Sequence, residues 1–115
     1  MYVVEYFTRK NGRQPAGEWR SALDKRLRKV IDGKIKKLGQ YGLELLGTDI
    51  LKTISGDDRD FYELRGGQCR VAMYHARGSD TFILLYGWLK KKQVQQQDID
   101  QAHRLLQEFL SGKGE

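Results

Sequence analysis

Residues 61–74 read FYELRGGQCRVAMY, two strand-like runs on either side of Gly66-Gly67. Glycine adopts positive φ at no steric cost, so the pair suits a two-residue turn and makes the runs antiparallel partners. With the turn placed there, Arg65 and Gln68 close the hairpin, Leu64 faces Cys69, and Glu63 faces Arg70. Side chains alternate along a strand. Tyr62, Leu64, Cys69, Val71 and Met73 then form one apolar face, and Phe61, Glu63, Arg65, Gln68, Arg70 and Tyr74 form the other. A Glu63–Arg70 pair taken alone is an ordinary ornament of an exposed sheet, worth at most about 1 kcal/mol.

Downstream, residues 81–89 read TFILLYGWL, apolar on both faces, which predicts an interior strand. Lys90, Lys91 and Lys92 close it. By themselves they are a solvated strand end. Upstream, residues 2–7 (YVVEYF) read as an opening strand and residues 50–54 (ILKTI) as a short one. Pro15 sits where a first helical turn tolerates its missing N–H. From there to about Leu38, Trp19, Leu23, Leu27, Val30, Ile31, Ile35 and Leu38 recur every three or four residues, predicting one long amphipathic helix. Its outer face carries Arg20, Lys25, Arg26, Arg28, Lys29, Lys36 and Lys37. A short helical piece is expected at LELL, residues 43–46. A closing helix is expected from Asp98, with Gln101 completing its cap. The order predicts an α+β domain: an N-terminal strand and helices, an antiparallel meander, and a C-terminal helix, with the helices on one face of the sheet.

At 115 residues the chain is expected to be one domain, 1–115. Cys69 is the single cysteine, which excludes an intrachain disulfide and a cysteine-based zinc site. His75 and His103 fit no metal-ligand spacing, and no P-loop or dinucleotide fingerprint occurs. No apolar run approaches the roughly 20 residues of a membrane span, and no signal-peptide design opens the chain, so the cytoplasm is expected. The formal charge of +6 and a pI near 9.5 favour polyanionic partners. His75, Cys69, Trp19 and Trp88 are expected to be structural, and His103 to lie on the helix surface. The case for function is convergence: hairpin, strand end and long helix all bring cations, as a phosphate-holding surface requires.

FYELRGGQCRVAMYH and FILLYGWLKKKQVQQQDIDQAHRLL together resemble the phage-derived, HigB-like branch of the RelE/ParE toxin superfamily. Its members carry an aromatic-x-Glu-Leu-Arg strand, a glycine-containing turn, a Tyr-Arg-Val strand and an apolar strand ending in a lysine pair. The motifs span about residues 58–110. The resemblance implies a RelE-like fold with two N-terminal helices and a cognate antitoxin, often of helix-turn-helix type. It further implies the toxin of a type II toxin–antitoxin pair, cutting messenger RNA on the ribosome without metal or cofactor through attack of a 2′-OH on the phosphate. The Tyr-Arg-Val arginine falls on Arg70, the preceding strand's arginine on Arg65, and the terminal basic residues on Lys90 and Lys91.

In this expectation Arg70 clamps the phosphate, assisted by Arg65 and Lys91, while Lys90, Lys92, Tyr74 and Gln68 bind RNA. Glu63 is either a base toward the 2′-OH or the residue that fixes the Arg70 rotamer. The chain also departs from the pattern. Phe61 and Glu63 stand where RelE has lysines, and Gln97 stands near the position of its catalytic tyrosine. The acid and base therefore do not carry over. A ParE-like gyrase inhibitor and a non-catalytic RNA- or ribosome-binding domain are the alternatives. Oligomeric state is left open.

Overall fold

A computed structural model describes residues 1–56, 59–91 and 95–113. Strand β1 (Val3–Tyr6) leads into helices α1 (Pro15–Ala22) and α2 (Lys25–Tyr41) and a 3₁₀ turn (Gly42–Leu45). Strands β2 (Leu51–Thr53), β3 (Phe61–Gly66), β4 (Cys69–His75) and β5 (Thr81–Leu89) follow, then helix α3 (Gln96–Lys113). The sheet order is β1-β5-β4-β3-β2. β2 to β5 form the expected antiparallel meander, but β1 pairs parallel with β5, so the sheet is mixed.

The long helix expected from Pro15 to Leu38 is two helices. Leu23 and Asp24 are extended, and the Asp24 carboxylate accepts a hydrogen bond from the Leu27 N–H at 2.9 Å. A short acidic side chain that caps a new helix start competes with continuing the old one. The apolar spacing runs through the break unchanged, which is why periodicity alone missed it. Arg20 of α1 rejoins the two helices through a forked contact to Asp32 of α2, at 2.8 and 2.6 Å. At the other end of the chain, Asp98 lies within the first turn of α3 rather than at its cap, because the helix already begins at Gln96.

The helices also divide between the two faces, against the expectation of one. On one face Leu27, Ile31, Ile35 and Leu38 of α2 and Trp19 of α1 pack with Leu64, Val71, Met73, Phe82 and Leu84. On the other, Ile99, Ala102, Leu105, Leu106 and Phe109 of α3 cover Phe61, Ala72, Ile83, Leu85 and Trp88. This explains why TFILLYGWL is apolar throughout: β5 is buried on both sides.

A bulge lets β5 serve both cores. Ala72 pairs with Tyr86 but Met73 with Leu84, so Leu85 is an extra residue. Strict alternation would put Trp88 on the face of Phe82 and Leu84. The bulge turns it to the α3 face, opposite Arg70, and leaves Gly87 under α1. A Cβ at Gly87 would lie 2.1 Å from the Trp19 ring, so only glycine lets α1 approach so closely.

His75 is buried, stacked on Phe82 with its Nε2 2.8 Å from the Ser79 carbonyl oxygen, a satisfied structural histidine. His103 is not a free surface residue as expected: its ring lies against Phe61 at 4.8 Å. No helix among the described residues is long and apolar enough to cross a membrane.

Two predictions test this architecture. Gly87→Ala should lose roughly 1–3 kcal/mol in denaturant unfolding, since the Trp19 ring must move; an unchanged midpoint contradicts the close approach. The Arg20 hydrogen bond holds the Asp32 carboxyl below the ordinary aspartate range, outweighing desolvation that acts the other way. A lowered carboxyl pKa contributes stability above the ordinary value, and that contribution disappears as pH falls through the lowered one. Asp32→Asn should therefore be less stable than wild type at neutral pH, with the gap closing as pH falls below the ordinary aspartate range.

Candidate functional site

The hairpin carries the expected faces but a different turn. Gly66 pairs with Cys69, leaving Gly67 and Gln68 as the two turn residues, with Gly67 at φ +55°. Every pairing slides by two positions in sum: Leu64 faces Val71, Glu63 faces Ala72, and Arg65 faces Arg70. A slip by an even count preserves the faces. The expected Glu63–Arg70 cross-strand pair is therefore replaced by two arginines side by side.

Glu63 lies between them along the same face. Its Oε2 accepts from Arg65 Nε at 2.5 Å and stands 3.8 Å from Arg70 Nε. One carboxylate serves two cations, and the residue it holds most closely is Arg65, not Arg70. The Arg70 side chain is only 9% exposed, whereas that of Arg65 is 40% exposed. Arg70 Nη1 donates to the carbonyls of Gly67 at 2.7 Å and Cys69 at 2.9 Å, so this guanidinium also braces the turn. Burial, then the neighbouring Arg65 cation, lower the Arg70 pKa, with Glu63 acting the other way. An arginine lowered in this way is still charged at neutral pH. Arg65 makes no hydrogen bond from its terminal nitrogens among the described residues.

The neighbouring strand ends at the same place. Arg70 faces Trp88, Cys69 faces Leu89, and the Lys90 N–H donates to the Gln68 carbonyl at 2.7 Å. Lys90, Lys91 and Gln68 are exposed at the end of the sheet that holds the arginines. Lys92 lies outside the described residues. Tyr74 does not join them. It sits at the far end of β4, about 13 Å along the strand from Arg70, with its ring 5.8 Å from Phe109 in the α3 core. Gln97, near the position of the missing tyrosine, is exposed in the first turn of α3.

Lys34 and Asp49 are charged residues of the site that the sequence did not nominate. A cleft of about 310 Å³ at the hairpin tip is lined by Arg65, Gly66, Gly67, Arg70, Ile50, Asp49 and Lys34. Lys34 comes from α2, and a Cβ on Gly66 would fall 2.7 Å from its Cγ. The alkyl stem thus lies over the glycine and carries a third cation to the cleft. The signal was its place on the flank of α2 beside Val30, which also touches Gly66. Chemically, three cations against Glu63 and Asp49 make a cleft biased toward anions. A larger cleft, about 840 Å³, lies between α1 and α2, where Arg20 and Asp32 already pair with each other.

A mixed five-stranded sheet with two helices on one face and a C-terminal helix on the other is an α+β fold of the RelE type. The crystal structure of the toxin–antitoxin complex RelBE2 from Mycobacterium tuberculosis is similar to this chain, with a TM-score of 0.52 over 77% of this chain and 91% of that one. The sequences are 15% identical, so the likeness is one of fold. No protein-family model and no curated protein matches the sequence, and nothing in these comparisons distinguishes the HigB-like branch.

Glu63→Gln should cost about 1.5–3 kcal/mol, because a buried acceptor for charged donors is weakened while two adjacent arginines lose their shared counter-ion. Urea unfolding measures it. A loss smaller than that of an exposed surface substitution means the carboxylate does not hold the arginines together.

Proposed function

We propose that the chain is the toxin of a type II toxin–antitoxin pair, a metal-independent endoribonuclease acting on messenger RNA at the ribosome. The observation that carries this reading is the placement of Arg65 and Arg70 side by side at one end of a RelE-type sheet, with Lys90 and Lys91 ending the adjacent strand. The RelBE2 neighbour is a toxin–antitoxin complex, which supports a cognate antitoxin as partner here.

In the proposed reaction the 2′-oxygen attacks the adjacent phosphorus, the 5′-oxygen leaves, and a cyclic phosphate remains. Negative charge grows on the non-bridging oxygens, and fixed cations aimed at them lower the barrier. Arg65 is the better placed of the two arginines to reach a phosphate, being more exposed and holding unengaged donors. Arg70 adds charge from beneath and keeps the turn in shape. Lys91, Lys90 and Gln68 flank the strand of RNA; Lys92 is assigned with them from the sequence alone. Glu63 orients Arg65 and is too enclosed and engaged to be the favoured base.

A second reading, a non-catalytic RNA- or ribosome-binding domain, is favoured by one observation: Arg70 is largely buried and spends donors on backbone carbonyls. Induction in a growing culture, followed by primer extension on cellular messages, separates the two. The proposal expects growth arrest with defined cuts. It expects Arg65→Ala and the double change Lys90→Ala, Lys91→Ala to fold and to lose about 10²–10³ in cleavage rate each. Arg70→Ala should lose activity together with some stability. Ribosome binding without cuts supports the second reading, and arrest without cuts points to a target other than messenger RNA.

A further inference from the structure

Between Lys25 and Tyr41, seven residues are lysine or arginine and Asp32 is the sole carboxylate. That excess of six equals the formal charge of the entire chain, +6, so the rest of the molecule is balanced. The net charge of this protein is therefore the charge of one helix.

Where the cations stand on α2 is as informative as their number. Ile31 and Leu38 mark the buried stripe. At 100° per residue, Lys25, Arg26, Lys29, Lys36 and Lys37 fall within an arc of about 120° on the opposite side. All five are exposed, and none makes an ion pair among the described residues. Asp32 borders this arc beside Lys25 and Lys36, but its carboxylate already holds Arg20. The row runs about 18 Å along the helix.

Helix stability does not account for it. Apart from the capping Asp24, no acidic residue stands at the start of α2, and Lys25 and Arg26 sit at the positive end of the helix dipole, where cations are unfavourable. Lys25 and Lys29 are four apart and Arg26 and Lys29 three apart, and like charges at those spacings repel on a helix surface. A face that works against its own helix is matched to something outside.

We infer that the solvent face of α2 is a docking surface for the phosphate backbone of an RNA duplex. Between the cations lie Gly33 and Gln40; the exposed apolar residues of α2 are Val30 and Tyr41, about 16 Å apart along it. A protein interface needs a buried apolar anchor, which such a face does not offer. The amphipathic stripe that a bilayer would take is already spent on the core. Phosphates need only placed cations. RNA rather than DNA follows from continuity: Lys34 of the same helix lines the cleft with Arg65 and Arg70, so the inference rests in that respect on the cleft being directed at RNA.

The test is direct binding of the full chain to a blunt RNA duplex of about 20 base pairs that carries no message, titrated between about 50 and 200 mM salt. One variant changes Arg26, Lys29, Lys36 and Lys37 to Gln; a control changes Lys52, Arg59, Arg77 and Arg104 to Gln, lowering net charge equally. The α2 variant should fold, bind about 10²-fold more weakly at low salt, and lose roughly 3–4 from the salt slope, one per phosphate contact. The control should keep most of the slope. Equal losses in both variants overturn the inference in favour of general charge, and so does tighter binding to a DNA duplex of the same sequence, to an acidic peptide or to anionic vesicles. Because the readout is binding to an uncut duplex, a failure here is distinguishable from a failure of the cleavage reading.

Discussion

The structure depends on β5 being buried on both faces while hydrogen-bonded on both edges. β1 and β4 satisfy its backbone, two helices bury one row of its side chains, and α3 buries the other. Burying large apolar side chains on both faces of an interior strand contributes roughly 1.5–3 kcal/mol each. A nine-residue strand with that role fixes where everything else must lie. The bulge at Leu85 is what lets one strand feed two cores of unlike shape. It gives Gly87 to the Trp19 ring on one side and Trp88 to the arginine face on the other.

The candidate site inherits its geometry from this frame. Cross-strand pairing forces Arg65 and Arg70 together, Glu63 offsets part of their repulsion, and the turn carbonyls absorb more of it. What remains is positive charge held at a sheet end by groups that cannot relax away. A preorganised field of that kind acts on an anion without reorganising. The same logic extends to α2, whose solvent face concentrates charge without balancing carboxylates and passes it to the cleft through Lys34. Lys34 thus stands at the cleft while the rest of its helix carries a row of cations toward solvent, with the double core behind both.

Much of the fold was legible in the residues. Alternation in 61–74 sorted the two faces correctly even though the turn was placed one residue early, because parity survives an even slip. It did not show that the charged face is also a core, with Phe61 buried under α3 and Tyr74 packed beside it. The apolar stripe of α2, the interior character of 81–89 and the closing helix were equally readable. Periodicity did not show the break at Leu23-Asp24, since the stripe continues through it and only the cap interrupts the backbone. The expectation that helices share one face failed for a related reason: a strand apolar on both sides says that both are covered, not by what. At the site, Tyr74 had the right parity but the wrong end of the strand, and Lys34 came from an element far away in sequence.

By itself the sequence determined which residues are apolar, in what period, and where the cations stand along the chain. Those properties depend on near neighbours, and they settle element type, face and net charge. Tertiary structure alone decided that two arginines are partners, that β1 joins parallel to β5, and that α2 contributes to a cleft at the hairpin tip. Register and packing are set by contacts between distant segments, where a bulge of one residue redirects a tryptophan and a turn shifted by one residue exchanges the partner of an arginine.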